Sequence, residues 1–280
     1  MSGVDLEVDE AQIVGLVGPN GAGKTTILKM LLGLVRPTSG EIFIFGTRAP
    51  CPAVLQAAGS MVDRPAFYPW LTARANLSVL LDGGPPGPPH AVERALELVA
   101  LTGDADRQVK TFSQGMRQRL GMAAALMRKP RLLILDEPAN GLDPAGIRDL
   151  RRLILDVSAE GTTVLLSSHL LAEVERICDW VAFISGGTIT ETRKMSDLRS
   201  ATRLRVSVPT SQSAQALAIL AAHGPVVVGD GVFVVGGLPG AEVARLLSRA
   251  GIFADTVEPE RDSLEDVYLK AVDSAEAVGG

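Results

Sequence analysis

The sequence predicts an α/β protein: a buried parallel sheet interrupted by a helical lobe, followed by a smaller α+β module. Three observations predict it. Short, mainly apolar runs at 13–17, 131–135 and 162–167 each end in polar residues, as strands buried on both faces do. From about residue 72 to 128 the periodicity is helical. Past Met195 the order of apolar runs becomes β-α-β-β-α-β, that of a ferredoxin-like half-module. The expected boundaries are 1–194 for the first domain, with its lobe at about 72–128, and 195–280 for the second.

The elements follow in order. Val4 to Val8 reads as a short strand, and Asp9–Gln12 as the turn into Ile13–Val17. The chain then enters Gly18-Pro19-Asn20-Gly21-Ala22-Gly23-Lys24-Thr25-Thr26, a full match to the phosphate-binding pattern G-x-x-x-x-G-K-[ST]. Ile27, Leu28, Leu31, Leu32 and Val35 share one helical face after it, and Pro37 ends the helix. Strand, glycine loop and helix aim backbone N–H groups and a helix N-terminus at a polyphosphate. Lys24 is placed to reach the β- and γ-phosphates and the Thr25 hydroxyl to ligate Mg²⁺.

Glu41–Gly46 alternates like a strand, and Ala57–Val62 reads as another. Phe67, Tyr68 and Trp70 cluster in a loop, with Thr72 or Asn76 as the cap of the next helix. Asp82–Pro89, rich in glycine and proline, is a loop. Helices are expected at Val92–Leu101 and from the Ser113 region to about Arg128. The strand at 131–135 runs into Asp136-Glu137, a helix covers Gly146–Ala159, and the strand at 162–167 runs into Ser168-His169. A helix to about Cys178 and a hairpin about Gly186-Gly187 complete the domain. In the second domain, strands are expected at Leu204–Val208, Val226–Val228, Gly231–Val235 and Ile252–Val257. Its helices are expected at Ser213–Ala222, Ala241–Ala250 and Leu264–Val272, the last capped by Ser263.

In an open parallel sheet, ligands bind at the carboxyl ends of the strands. The phosphate loop, Asp136-Glu137 and His169 are therefore expected to meet at one nucleotide. Asp136 is placed to hold Mg²⁺, Glu137 to orient or deprotonate the attacking water, and His169 to contact the γ-phosphate.

Composition removes other classes. Aromatics are 4% and net charge is −5, which disfavours stacking platforms and basic grooves for nucleic acid. Cys51 and Cys178 share no metal-type spacing and fit a cytosolic thiol state. No apolar run approaches the ~20 residues that span a bilayer.

With these motifs in this order, residues of roughly 4 to 192 resemble the nucleotide-binding subunit of ATP-binding-cassette (ABC) transporters, a branch of the P-loop NTPases. Gly18–Thr26 resembles Walker A. Ser113-Gln114-Gly115-Met116-Arg117-Gln118 resembles the family signature in its S-x-G-M form. Leu132–Glu137 resembles Walker B with its catalytic glutamate, Asn140-Gly141-Leu142-Asp143 the D-loop, and His169 the switch histidine. The resemblance implies catalytic roles for Glu137 and His169, and ATP and Mg²⁺ as ligands. It also implies a head-to-tail dimer, with a like or a different subunit, in which Ser113 and Gly115 face the ATP held by the partner. A separate polytopic membrane permease would hold the chain at the cytoplasmic face of the membrane. Within the family the sequence resembles bacterial drug, lantibiotic or bacteriocin exporters, whose ATPases often carry a C-terminal α/β appendage ending like Ser263-Leu264-Glu265-Asp266-Val267-Tyr268.

Two departures stand out. Asp63 occupies the place where the family usually has glutamine and lantibiotic exporters often glutamate, which implies a nucleotide- and metal-facing carboxylate. No aromatic precedes Phe43, so base stacking is expected to be weak and ATP and GTP to be poorly discriminated. A soluble ABC-type ATPase acting on nucleic acid or ribosomes is the alternative; the sequence lacks the long coiled coils or paired cassettes seen in such proteins. A small-molecule kinase has no place for the Ser113–Gln118 signature.

Overall fold

The computed structural model describes residues 1, 3–63, 65–199, 203–229, 232–260 and 263–268, which form two compact units, the second beginning at Lys194. In chain order the first unit contains β1 (Ile13–Val17), α1 (Lys24–Leu31), β2 (Phe43–Ile44), β3 (Thr47–Arg48), α2 (Pro52–Ala57), β4 (Ala58–Met61), α3 (Ala73–Asp82), α4 (Ala91–Leu98) and α5 (Gln114–Leu126). It continues with β5 (Leu132–Asp136), α6 (Pro144–Ala159), β6 (Thr163–Ser168), α7 (Leu171–Ile177), β7 (Trp180–Ser185) and β8 (Thr188–Lys194).

The main sheet has the order β4-β5-β6-β1-β7-β8. Strands β4, β5, β6, β1 and β7 pair in parallel. All of β1 and β6 is buried, and Leu133, Ile134 and Leu135 of β5 are fully so, which is why these strands read as unbroken apolar runs. Because the strands are parallel, β1, β5 and β6 end on the same side of the sheet. Helices α3, α4 and α5 pack together as a lobe around the buried Leu77, Leu96 and Leu120. Thr72 is the cap of α3, its hydroxyl accepting from Ala75 N at 3.1 Å. Asn76 is instead buried within α3, and its amide clasps Tyr68 N and O, which fixes the aromatic turn.

The structure corrects several expectations. Val4 to Val8 is not a strand: its valines and leucine turn inward alternately and pack on the core, but no ladder pairs it among the described residues. The strand expected at Glu41–Gly46 shrinks to β2, which pairs with β3 in a two-stranded sheet. A helix not expected, α2, starts with Pro52 in its first turn, where proline's missing N–H is harmless.

In the second unit, α8 (Met195–Arg199) leads to β9 (Arg203–Ser207), α9 (Ser213–Ala221), β10 (Val226–Gly229), β11 (Val232–Gly236), α10 (Gly240–Arg249) and β12 (Thr256–Glu260). The sheet order β10-β11-β9-β12, antiparallel throughout, is the ferredoxin-like one. Val206, Phe233 and Val235 pack against Leu220 of α9 and Val243 and Leu247 of α10. The last strand starts at Thr256 rather than Ile252. Ile252 is buried because it closes the end of α10, its N–H donating to Leu247 O after Gly251 at φ +75°, so its apolar character reflects a helix plug and not a strand. Ser263 caps a helical turn at 264–268, its hydroxyl accepting from Asp266 N at 3.1 Å. The expected remainder, 269–272, and Gly231 lie outside the described residues.

Candidate functional site

After β1 the chain turns at Gly18. A Cβ there would lie 2.2 Å from the Ile184 carbonyl oxygen of β7, so no other residue fits without moving the sheet. Gly23, at φ +109°, makes the entry into α1 in a conformation that side chains rarely adopt. Lys24 follows, only 6% exposed. Its Nζ donates to Gly18 O at 2.7 Å and to Pro19 O at 3.3 Å, and lies 3.4 Å from Glu137 Oε1. The Thr25 hydroxyl donates to Asp136 Oδ2 at 2.8 Å.

The second contribution comes from the end of β5. Glu137 adopts φ +47°, a left-handed conformation that costs a non-glycine residue ~1–2 kcal/mol. Three contacts hold it there. Its N–H donates to Ser167 Oγ at 2.9 Å, its Oε2 lies 2.6 Å from His169 Nδ1, and its Oε1 faces Lys24. Asp136 also accepts from Ser167 Oγ at 2.5 Å through Oδ1. The third contribution is β6, which carries Ser167 inside the strand and His169 just past it. The phosphate loop, Asp136-Glu137 and His169 thus form one connected knot at the ends of β1, β5 and β6.

Thr25 and Asp136 converge as two hard oxygen donors. Among the described residues no group of three or more His, Cys, Asp or Glu side chains forms a metal cage. That donor set fits Mg²⁺, which usually keeps several waters and takes one or two protein ligands beside substrate phosphates.

The other expected site residues lie outside the knot. Asp63, past β4 and at φ +61°, pairs through Oδ2 with Lys29 Nζ at 2.8 Å. Lys29 is four residues beyond Thr25, on the same face of α1, so Asp63 flanks the phosphate-loop helix. Ser113 is the exposed cap of α5, its hydroxyl accepting from Met116 N at 3.2 Å, with Gly115 in the first turn. Asp143 caps α6, accepting from Gly146 N at 2.8 Å.

Sequence reasoning missed three connectors. Ser167 is the first; its signal was a second hydroxyl residue in the strand before His169. Gln118 of α5 donates to Pro138 O at 2.9 Å. The Gln114 amide lies so close over Gly141 that a Cβ there would meet it at 2.0 Å. These two glutamines tie the start of α5 to the loop that follows Glu137.

A mostly parallel sheet with a phosphate loop, a strand-end Asp-Glu pair and a histidine against the glutamate defines a phosphate-loop nucleoside triphosphatase. The family model described as "ABC transporter" matches residues 1–140. The bacitracin transport ATP-binding protein BcrA of Bacillus licheniformis is 38% identical over 278 residues, 96% of this chain and 91% of that protein. The lantibiotic transport ATP-binding protein SrtF of Streptococcus pyogenes is 43% identical over 189 residues, 68% of this chain and 82% of its own. A solved ATP-binding subunit of an ABC transporter superposes with a TM-score of 0.63 at 31% identity, over 70% of this chain and 84% of that one. The chain belongs to the ABC transporter family, as an ATP-binding, ATP-hydrolysing subunit. Among the described residues no helix is long and apolar enough to cross a membrane.

Proposed function

We propose that this subunit powers export of an antibiotic or antimicrobial peptide through a separate polytopic permease, from the cytoplasmic face of the membrane. The observation that carries this reading is the extent of the similarity to BcrA. It runs over 96% of the chain, through the ferredoxin-like unit as well as the cassette. A cassette alone fits many transporters; the pair of units narrows the choice.

In the proposed mechanism the loop Gly18–Thr26 cradles the ATP phosphates with backbone N–H groups, and Lys24 turns from the carbonyls of Gly18 and Pro19 toward phosphate oxygen. Thr25 and Asp136 would hold Mg²⁺, and Asp63, on the flank of the same helix, would add negative charge toward it. When bound, that ion neutralises charge on the phosphate oxygens. Glu137 orients or deprotonates the attacking water, while His169 fixes its carboxylate and approaches the γ-phosphate. Ser113 and Gly115, on the exposed start of α5, meet the ATP held by a second subunit, identical or related. Asp143 shapes the same dimer face. ATP closes the pair and hydrolysis reopens it, and that difference in affinity drives the permease. No nucleic-acid partner is part of this reading.

The test is co-expression with the proposed permease partner, in a host sensitive to bacitracin and lantibiotics. Tolerance should rise with the native chain and vanish with Glu137→Gln. Unchanged sensitivity across the panel, with the ATPase active and bound to its permease, would refute the export assignment.

A further inference from the structure

Ser167 is fully buried at the end of β6, in a strand otherwise built of apolar residues and short hydroxyl side chains. In register it stands beside Asp136 of β5 and Leu16 of β1. Register partners on neighbouring strands direct their side chains to the same face of a sheet. One hydroxyl therefore meets both members of the Asp136-Glu137 pair: it accepts from Glu137 N at 2.9 Å and donates to Asp136 Oδ1 at 2.5 Å. Chemistry fixes the direction of both bonds. The amide has only a proton to give, so the single serine proton goes to the carboxylate. Asp136 is then held from both sides, by Thr25 on Oδ2 and Ser167 on Oδ1. Glu137 is anchored by its backbone at the residue that adopts φ +47°.

We propose that Ser167 is a positioning residue for hydrolysis. Its hydroxyl sets the Asp136 carboxylate against Thr25, and with it the Mg²⁺ position. The same hydroxyl pins the Glu137 turn that aims the carboxylate toward water. This rests on the roles given above to Asp136 and Glu137. Ser167 is fully buried, with its hydroxyl engaged by Asp136 and Glu137, and it acts through these two neighbours. Alanine would also be at home in a buried strand but could make neither bond; the two directed hydrogen bonds single out the hydroxyl.

The test compares Ser167→Ala, which removes the hydroxyl, with Ser167→Cys, which keeps the side chain's shape at slightly larger size but hydrogen-bonds weakly. Three quantities are read in the full chain: the melting temperature, the affinity for a fluorescent ADP with EDTA and across a Mg²⁺ titration, and kcat with KM for ATP. In both variants, affinity in EDTA should stay within about twofold, because Lys24 and the loop are untouched. Half-saturating Mg²⁺ should rise several-fold. The kcat should fall roughly 10–100-fold, the range for losing a hydrogen bond to a charged group, with KM little changed. A Cys variant that restores both melting temperature and kcat would show that Ser167 merely fills space, and would overturn the proposal. So would a kcat and Mg²⁺ dependence within twofold of the parent in Ser167→Ala. Glu137→Gln is run in parallel to separate the two claims. If it turns over normally, the catalytic reading fails and takes this proposal with it. If it is inactive while Ser167→Ala is normal, only the Ser167 proposal fails.

Discussion

The Lys24–Glu137 contact joins the phosphate loop to the strand-end glutamate, and its strength can be measured without any turnover. The two side chains are 6% and 19% exposed, with Nζ and Oε1 3.4 Å apart. At an effective dielectric of ~20, the gross attraction at that distance is ~5 kcal/mol. Desolvation of both ions takes back most of it, and a net coupling of ~1–2 kcal/mol is expected. Removing one partner strands the other, so Lys24→Met alone should destabilise the first unit by ~2–3 kcal/mol, in line with losing charged hydrogen bonds to Gly18 O and Pro19 O as well. Lys24→Met combined with Glu137→Gln should then cost less than the sum of the singles. The assay is urea unfolding of the four proteins by tryptophan fluorescence. The chain's two tryptophans, Trp70 and Trp180, both lie in the first unit, so the signal follows that unit alone. Additivity within ~0.5 kcal/mol would refute the coupling, and with it the view that the loop lysine and the glutamate hold each other in place.

Further expectations come from single contacts. Gly18→Ala drives a Cβ to 2.2 Å from Ile184 O, which is backbone and has no room to yield. It should cost at least the ~1–3 kcal/mol of an overpacked core and weaken ATP binding, both readable by denaturation and fluorescent-nucleotide titration. Lys29→Met frees Asp63 from its ion pair. Because that pair is largely exposed, stability should change by less than ~1 kcal/mol, while the Mg²⁺ concentration needed for half-maximal ATPase should drop if Asp63 faces the metal; an unchanged Mg²⁺ profile counts against that role. Ser113→Arg places a bulky cation on the exposed start of α5. It should leave ATP binding by the isolated chain intact and abolish ATP-dependent dimerisation, measured by size-exclusion chromatography with light scattering.

The knot at the strand ends was legible because each part is a contiguous run whose spacing carries its geometry. Strands buried on both faces leave apolar runs, and parallel pairing sends their ends to one side. Legibility stopped where a structure depends on a partner distant in sequence. Val4 to Val8 alternates as a strand should, yet alternation reports burial on one side and not a hydrogen-bonded neighbour. Ile252 is apolar because a helix end needs a plug. Ser167 looks like any polar residue near a strand end until β5 and β6 are set in register. Gln114 and Gln118 read as parts of a signature, and only the folded chain shows them reaching the loop at Pro138 and Gly141. Asp63 is assigned through the resemblance, and its partner Lys29 is invisible without the path from β4 back to α1.

The proposed division, with Glu137 acting on the water and the phosphate loop binding the nucleotide, separates hydrolysis from affinity. It is tested most directly by measuring ATP affinity and Mg²⁺-dependent hydrolysis side by side in the native chain and in Glu137→Gln. Turnover should be lower by ~10²–10⁴-fold, with ATP bound at least as tightly as by the native chain, since Lys24 is released toward phosphate. Near-normal hydrolysis, or loss of binding together with hydrolysis, would contradict it.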